Sequence, residues 1–314
     1  MKKRDKIYIA GHSGLVGSAI KRRLEAEGYE NIITRSHVEL DLTRQADVEA
    51  FFSWEKPDYV FLAAAKVGGI GANSRNPAEF FYQNMAIAIN VIDASWKNGV
   101  KKLLNLGSSC IYPKLAPQPL KEEYLLTGPL EPTNEGYAMA KIAAIKMCTH
   151  YNNEYGTNYI SLMPTNLYGH GDNYDLFTSH VLPAMIRKIH EAKVAGQAVV
   201  LWGDGSPYRE FLHVDDLAVA AVMLMERYDY KDIGELINIG SGKELTIKQL
   251  AVLIADVENF RGEILWDTSK PNGTPRKLLD SSHLFALGWR PTIGLREGLE
   301  RSYREFLAIT AENQ

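Results

Sequence analysis

The chain has 314 residues, of which 46% are apolar and 23% charged, with a formal net charge of −3. That balance belongs to a globular protein with a full hydrophobic core in one large or two small domains. It argues against nucleic acid, whose phosphates call for a basic face, and no apolar run is long enough to span a membrane. Two cysteines, Cys110 and Cys148, make no disulfide framework, and nothing resembles a secretory leader, so the cytoplasm is expected.

The pattern predicts a first strand over residues 6–10, running into Gly11-His12-Ser13-Gly14-Leu15-Val16-Gly17 and a helix through Leu24. Strand, glycine turn and helix together make a diphosphate site: glycines let the backbone approach closely, and the helix start offers unpaired N–H groups and a favourable dipole. A second strand, 31–34, ends at Arg35. An acidic residue there meets a free ribose 2′-hydroxyl and a basic one a 2′-phosphate, so Arg35 favours NADP over NAD; the alternative is a solvated arginine. Leu40-Asp41-Leu42 follows, with the Asp side chain placed to pass under the adenine, and then a helix over 44–54. Residues 58–65 form an apolar strand covered on both faces. They deliver Ala63-Ala64-Ala65 and a glycine-rich loop, 66–71, at the carboxyl end where open α/β sheets bind ligands.

Two helices, 77–98 and 137–155, are apolar on more than one face. Either they form a four-helix dimer interface or a second domain covers them. Between them a strand over 102–106 delivers Leu106-Gly107-Ser108-Ser109-Cys110, followed by a proline-bearing loop and a cap from Thr133-Asn134-Glu135. Tyr137 and Lys141, four apart, share a helix face. The ammonium is expected to lower the tyrosine pKa, so that the hydroxyl exchanges a proton with a carbonyl or alcohol oxygen while Ser108 supplies a second donor. Tyr-x-x-x-Lys alone is common; the strand ends and glycine turn around it give it weight. Cys148 reads as a small core residue, and Cys110 as either an inert buried thiol or a reactive one. A strand over 159–163 leads to Pro164-Thr165-Asn166-Leu167, again at a carboxyl end. Beyond residue 169 the pattern predicts a helix over 180–192, strands over 199–202 and 209–214, and a helix from Asp215. A strand over 236–239, a helix over 246–256 capped by Thr246, a loop over 270–280 and a helix over 295–309 complete it. The expected fold class is α/β: a Rossmann-type doubly wound parallel sheet over 1–168, with a smaller mixed α/β substrate domain over 169–314 from which a segment near 208–240 returns to the first.

The words Leu62-Ala63-Ala64-Ala65-Lys66-Val67-Gly68-Gly69-Ile70, Leu106-Gly107-Ser108-Ser109-Cys110-Ile111-Tyr112-Pro113, Pro164-Thr165-Asn166-Leu167-Tyr168-Gly169 and Arg209-Glu210-Phe211-Leu212-His213-Val214-Asp215-Asp216 resemble, in this order, the extended short-chain dehydrogenase/reductases. Gly273-Thr274-Pro275-Arg276-Lys277-Leu278-Leu279-Asp280 extends the resemblance toward the end of the chain. Within that family the likeness is to epimerase-reductases that turn GDP-4-keto-6-deoxy-D-mannose into GDP-L-fucose, with GDP-colitose-forming relatives as the alternative. It implies NADP(H), a GDP-sugar substrate and a homodimer, without nucleic acid or membrane. It further implies Cys110 and His180 as the acid/base pair inverting carbons 3 and 5, with the thiolate accepting and His180 donating. Tyr137, Ser108 and Lys141 would serve reduction at carbon 4, with Lys141 and His180 also beside the cofactor. Lys188, Trp202, Arg209, Asn272 and Lys277 would hold the nucleotide sugar. Ser13 departs from an arginine that many relatives place on the 2′-phosphate, which leaves that charge to Arg35, and His170 replaces a common proline.

Overall fold

The computed structural model describes residues 1–270 and 272–312; residue 271 of the loop 270–280 and the last two residues of the expected second domain lie outside the described residues. The first half runs β1 (Ile7–Ala10), α1 (Leu15–Ala26), β2 (Ile32–Ile33), α2 (Gln45–Glu55), β3 (Tyr59–Leu62), α3 (Ile70–Arg75), α4 (Pro77–Lys97), β4 (Lys102–Leu106), α5 (Glu135–Tyr155), β5 (Tyr159–Pro164) and β6 (Asn166–Tyr168). The second runs α6 (Val181–Ala195), β7 (Val199–Trp202), β8 (Tyr208–His213), α7 (Val214–Arg227), α8 (Tyr230–Ile233), β9 (Ile237–Ile239), β10 (Glu244–Thr246), α9 (Ile247–Val257), β11 (Ile264–Asp267), β12 (Arg276–Lys277), α10 (Ser282–Ala286) and α11 (Leu295–Glu312).

Aliphatic runs with no polar alternation can only be strands covered on both sides. Six of them form one parallel sheet in the order β2-β1-β3-β4-β5-β9. On one face Ile20 and Leu24 of α1 pack with Leu217 and Leu224 of α7; on the other lie Phe52 of α2, Val91 and Ile92 of α4, and Ala144 and Cys148 of α5. Cys148 is thus a core residue, as its surroundings in sequence suggest. β2 and β3 leave β1 in opposite directions, and the crevice this opens at the carboxyl ends of β1 and β3 is where such sheets take ligands.

A second sheet pairs β8 antiparallel with β10 and parallel with β12 and β6, and β7 pairs with β11. Ile189 of α6, Leu250 and Ile254 of α9 and Phe306 of α11 form the core beside it. Within 208–240 the chain crosses between layers at His213 and Val214: β8 lies in the second sheet, whereas α7 and β9 belong to the first. β6, β10, β11 and β12 fall where no strand is expected, because strands of two to four residues are too short to show a period and exist through their partners. α3 likewise forms inside the expected glycine loop.

Thr246 caps α9 as expected, accepting from the Gln249 N–H at 3.0 Å while the Gln249 side chain accepts from the Thr246 N–H at 2.8 Å. At the start of α5 the expected cap does not form. Asn134 makes no side-chain capping bond, and the Glu131 carboxylate instead accepts from the Thr133 N–H in the turn before it. α4 and α5 pack on each other and leave Phe81, Tyr82, Ile89, Met139 and Tyr155 exposed. No helix among the described residues is long and apolar enough to cross a membrane.

Candidate functional site

The crevice begins at the turn after β1. Gly11 has φ of +82°, and a Cβ on it would lie 2.7 Å from the Ala64 backbone; one on Gly17 would lie 2.1 Å from the Gly11 carbonyl oxygen. Glycine is required at both, since the turn is pressed against β3 and against the helix that follows it. Gly14 starts the twelve-residue α1 with no side-chain cap, so its first N–H groups face the crevice unspent. This cradle fits the diphosphate of a dinucleotide. His12 adds a buried Nδ1 with no partner in the protein. Leu15, Val16 and Ala63 pack against one core and Ala64 against the other, while Leu40 and Leu42 are buried, which leaves their backbone as the part open to a ligand. Asp41 is folded on itself, accepting from the Thr43 N–H at 3.0 Å and the Thr43 hydroxyl at 2.7 Å, bonds that lower its pKa.

Arg35 is partly exposed but tied in place. Its guanidinium donates to the Thr34 carbonyl at 2.8 Å and to Glu55 at 2.5 Å, and lies 5.4 Å from the centre of the Phe51 ring. Ser13 is exposed beside the cradle.

At the end of β4, Ser108 starts a short 3-10 turn, Ser109–Ile111, and its hydroxyl accepts from the Cys110 N–H at 3.5 Å. Tyr137, in the first turn of α5, hydrogen-bonds to Ser108. Lys141, one turn on, donates to the Leu106 carbonyl at 2.7 Å and stands 5.8 Å from the centre of the Tyr137 ring. The expected depression of the Tyr137 pKa is corrected by this geometry. Burial, and then the charge of Cys110, push the phenol up, while the bond from Ser108 only opposes them. Lys141 is itself pulled down to about 8 by burial and is bonded to a carbonyl, so it has little hold on the phenol. The Cys110 thiol is also pushed up by burial, against the opposing pull of Lys277, the Ser108 bond and Lys141.

His180 takes the N-cap position of α6, at the first residue of the expected helix. The residue is exposed, yet the protein atoms around its ring, and then the charge of Lys277, lower its pKa. Lys277, expected to hold the nucleotide sugar, therefore acts by its charge on both members of the acid/base pair and lines one cavity with Cys110. It also stands opposite Arg209 in the β8–β12 register. Burial lowers Lys277, and pulls Arg209 down to about 10 against the charge of Glu131. Farther out, the half-exposed Trp202 ring has the Lys188 ammonium 5.2 Å and the Lys270 ammonium 5.6 Å from its centre. Asn272 accepts from the Asp204 N–H at 3.0 Å and so pins the turn after β7.

The structure thus links Ser108, Cys110, Tyr137, Lys141, His180 and Lys277 electrostatically, with Arg209 adjoining. Trp202 with Lys188, and Asn272 on the turn after Trp202, form an outer group, and Arg35 stands apart beside α2. Pro164 closes β5, Leu167 packs on the main core, and Gly107 and Ser109 are walled in at the end of β4. Thr165 and Asn166 both donate to the carbonyl of Glu210. Sequence reasoning passed over Glu210. Fully buried, its carboxylate accepts from the Gly242 N–H at 2.7 Å and the Leu279 N–H at 3.1 Å, tying β8 to the loop that carries Lys277. The available signal was an acidic residue in the middle of the strand expected over 209–214.

Residues 7–240 match the model of the NAD dependent epimerase/dehydratase family. A GDP-L-fucose synthase 1 of Arabidopsis thaliana is 59% identical over 96% of this chain and 93% of its own length. The GDP-L-fucose synthase of Escherichia coli K12 is 51% identical over 99% of this chain and 98% of its own. A crystal structure of a GDP-L-fucose synthetase from Naegleria fowleri bound to NADP, 27% identical, superposes with a TM-score of 0.90 over 99% of this chain and 96% of that one. With the diphosphate cradle, the Ser108–Tyr137–Lys141 group and a match spanning three quarters of its length, the chain belongs to the NAD-dependent epimerase/dehydratase family.

Proposed function

We propose that this protein converts GDP-4-keto-6-deoxy-D-mannose to GDP-L-fucose, inverting carbons 3 and 5 and then reducing carbon 4 with NADPH, as a cytoplasmic homodimer. The observation that carries this is the cluster at the end of β4, where Cys110 and Lys277 line one cavity, Tyr137 and Ser108 interact with the same thiol, and the charge of Lys277 reaches His180. A thiol and imidazole pair next to a paired hydroxyl donor is what epimerisation and reduction of one ketone require. NADPH, when bound, supplies the hydride to carbon 4. Gly11, Gly14 and Gly17 admit its diphosphate to the start of α1, and Arg35, held by Glu55, presents its remaining N–H groups to the 2′-phosphate.

Tyr137 and Ser108 hold the oxygen on carbon 4. Negative charge gathers on that atom both in the enolate of each epimerisation and during reduction, so one donor pair serves all three steps. Tyr137, kept protonated by burial, gives its proton as the alcohol forms. Cys110 as thiolate, the form that Lys277 and Lys141 favour, takes the proton from carbon 3 or 5, and His180 returns one to the opposite face; exchange with solvent restores the pair. Arg209 beside Lys277 suits the substrate diphosphate, and Trp202, flanked by Lys188 and Lys270, offers a flat surface to guanine. The exposed apolar side chains of α4 and α5 support dimerisation.

The test is incubation with GDP-4-keto-6-deoxy-D-mannose and NADPH in heavy water. Stoichiometric loss of NADPH, with deuterium at carbons 3 and 5 of a fucose product by NMR, is the expected outcome. NADPH binding without turnover of this sugar would overturn the proposal.

A further inference from the structure

The glycine word after β3 contributes no chemical group to the site, yet it lies against the residue that precedes His180. A Cβ on Gly69 would stand 2.7 Å from the Ser179 carbonyl oxygen, and the Gly69 N–H donates to the Thr178 carbonyl at 3.0 Å. Gly69 has φ of −65°, which any residue adopts. Space, not backbone conformation, therefore requires glycine there. Both sides of this contact are held firmly. Buried Asn73 donates from its side chain to the carbonyls of Gly68 at 2.7 Å and Gly69 at 3.1 Å. Opposite, Asp175 accepts from the N–H groups of Phe177 and Thr178 and from the Thr178 hydroxyl, and the Ser179 N–H donates to the Asp175 carbonyl. The Arg75 guanidinium, 4.7 Å from the centre of the Phe177 ring, adds a second contact between the two segments. α6 starts directly after this turn, its first bond running from the Ala184 N–H to the His180 carbonyl.

We infer that Gly69 is a positioning residue for epimerisation: its missing side chain lets residues 178 and 179 seat against the start of α3, and this sets where His180 stands relative to the sugar. The inference rests on the role of His180 proposed above. An atom added at Gly69 must displace the Ser179 carbonyl, and His180 moves with it. Misplacement by about 1 Å costs a proton-transferring group on the order of 100-fold. Tyr137, on α5, and Ser108, in the turn after β4, make neither of these contacts with residues 178 and 179, so epimerisation is expected to be lost selectively.

Gly69→Ala is compared with Gly71→Ala, where a Cβ would meet nothing. The reactions run in heavy water with GDP-4-keto-6-deoxy-D-mannose and NADPH. For Gly69→Ala, fluorescence titration is expected to show NADPH binding unchanged, deuterium entry at carbons 3 and 5 to fall about 100-fold, and the reduced product to shift toward the unepimerised GDP-6-deoxyhexose. In a His180→Asn background the same substitution is expected to cause no further loss of exchange. Equal loss of exchange and reduction, or a full additional loss in the His180→Asn background, would overturn the inference. If the unsubstituted protein itself incorporates no deuterium, the proposed function fails. If it does and Gly69→Ala exchanges at the same rate, only this inference fails. Should Gly69→Ala not fold, Asn73→Ala, which frees both carbonyls without adding an atom, is judged by the same outcomes.

Discussion

Burial raises the Tyr137 phenol and the Cys110 thiol and lowers Lys141 and His180, so each of these groups is pushed toward its neutral form before substrate arrives. For Tyr137 that is useful, because a proton donor must still hold its proton when the alkoxide forms. Tyr137→Phe is expected to slow NADPH oxidation by about 10²- to 10⁴-fold while deuterium still enters carbons 3 and 5; simultaneous loss of exchange would show that one group serves both reactions. For Cys110 the consequence is a pH dependence. His180 must still hold its proton when Cys110 has lost its own, and the two pKa values are pushed in the directions that make this state the minor one. The kcat/KM for exchange, which reports the free enzyme, should therefore be level between the lowered imidazole and the raised thiol and fall on either side. A steady rise with pH across that range would show that His180 need not be protonated, and His180→Asn should remove the acid limb.

At the scale of elements, the fold depends on one close approach, one buried carboxylate and one buried ammonium. Gly17→Ala puts a carbon 2.1 Å from the Gly11 carbonyl oxygen, and the turn can open only by leaving β3. A cost of about 1–3 kcal/mol and a matching loss of NADPH affinity in fluorescence titration are expected. Asp216, buried in the first turn of α7, accepts from the N–H groups of Thr292 at 3.0 Å and Ile293 at 2.9 Å and from the Thr292 hydroxyl at 2.7 Å. It fastens the segment before α11 to the main layer. Asp216→Ala leaves those donors unpaired and should lower stability by about 3 kcal/mol in urea unfolding. Lys102 works in the same way from the sheet side: its ammonium, inside the core, donates to the carbonyls of Leu224, Met225 and Tyr228 at the end of α7. Both long-range ties lie outside any local pattern.

For the whole molecule, α4 and α5 form one layer with one face on the sheet and the other carrying Phe81, Tyr82, Ile89, Met139 and Tyr155 in the open. Ile89→Asp places a charge in that face and is expected to convert a dimer to a monomer in sedimentation, with the fold unchanged by circular dichroism. A variant that sediments like the unsubstituted chain would place the interface elsewhere. The sequence by itself determined the order of strands and longer helices in the first half, α3 and β6 apart, together with the glycine turn and the residues at each strand's carboxyl end. These follow from hydrophobic period, glycine spacing and the rule that parallel sheets bind at one edge, all local in the chain or fixed by topology. Only the tertiary structure decided the state of those residues: that Arg35 is held by Glu55, that the Tyr137 pKa is raised rather than lowered, that Lys277 lines one cavity with Cys110, and that Gly69 lies against the turn before His180. Charge interactions and close packing depend on distances between segments far apart in the chain, and those distances exist only once both layers have folded against each other.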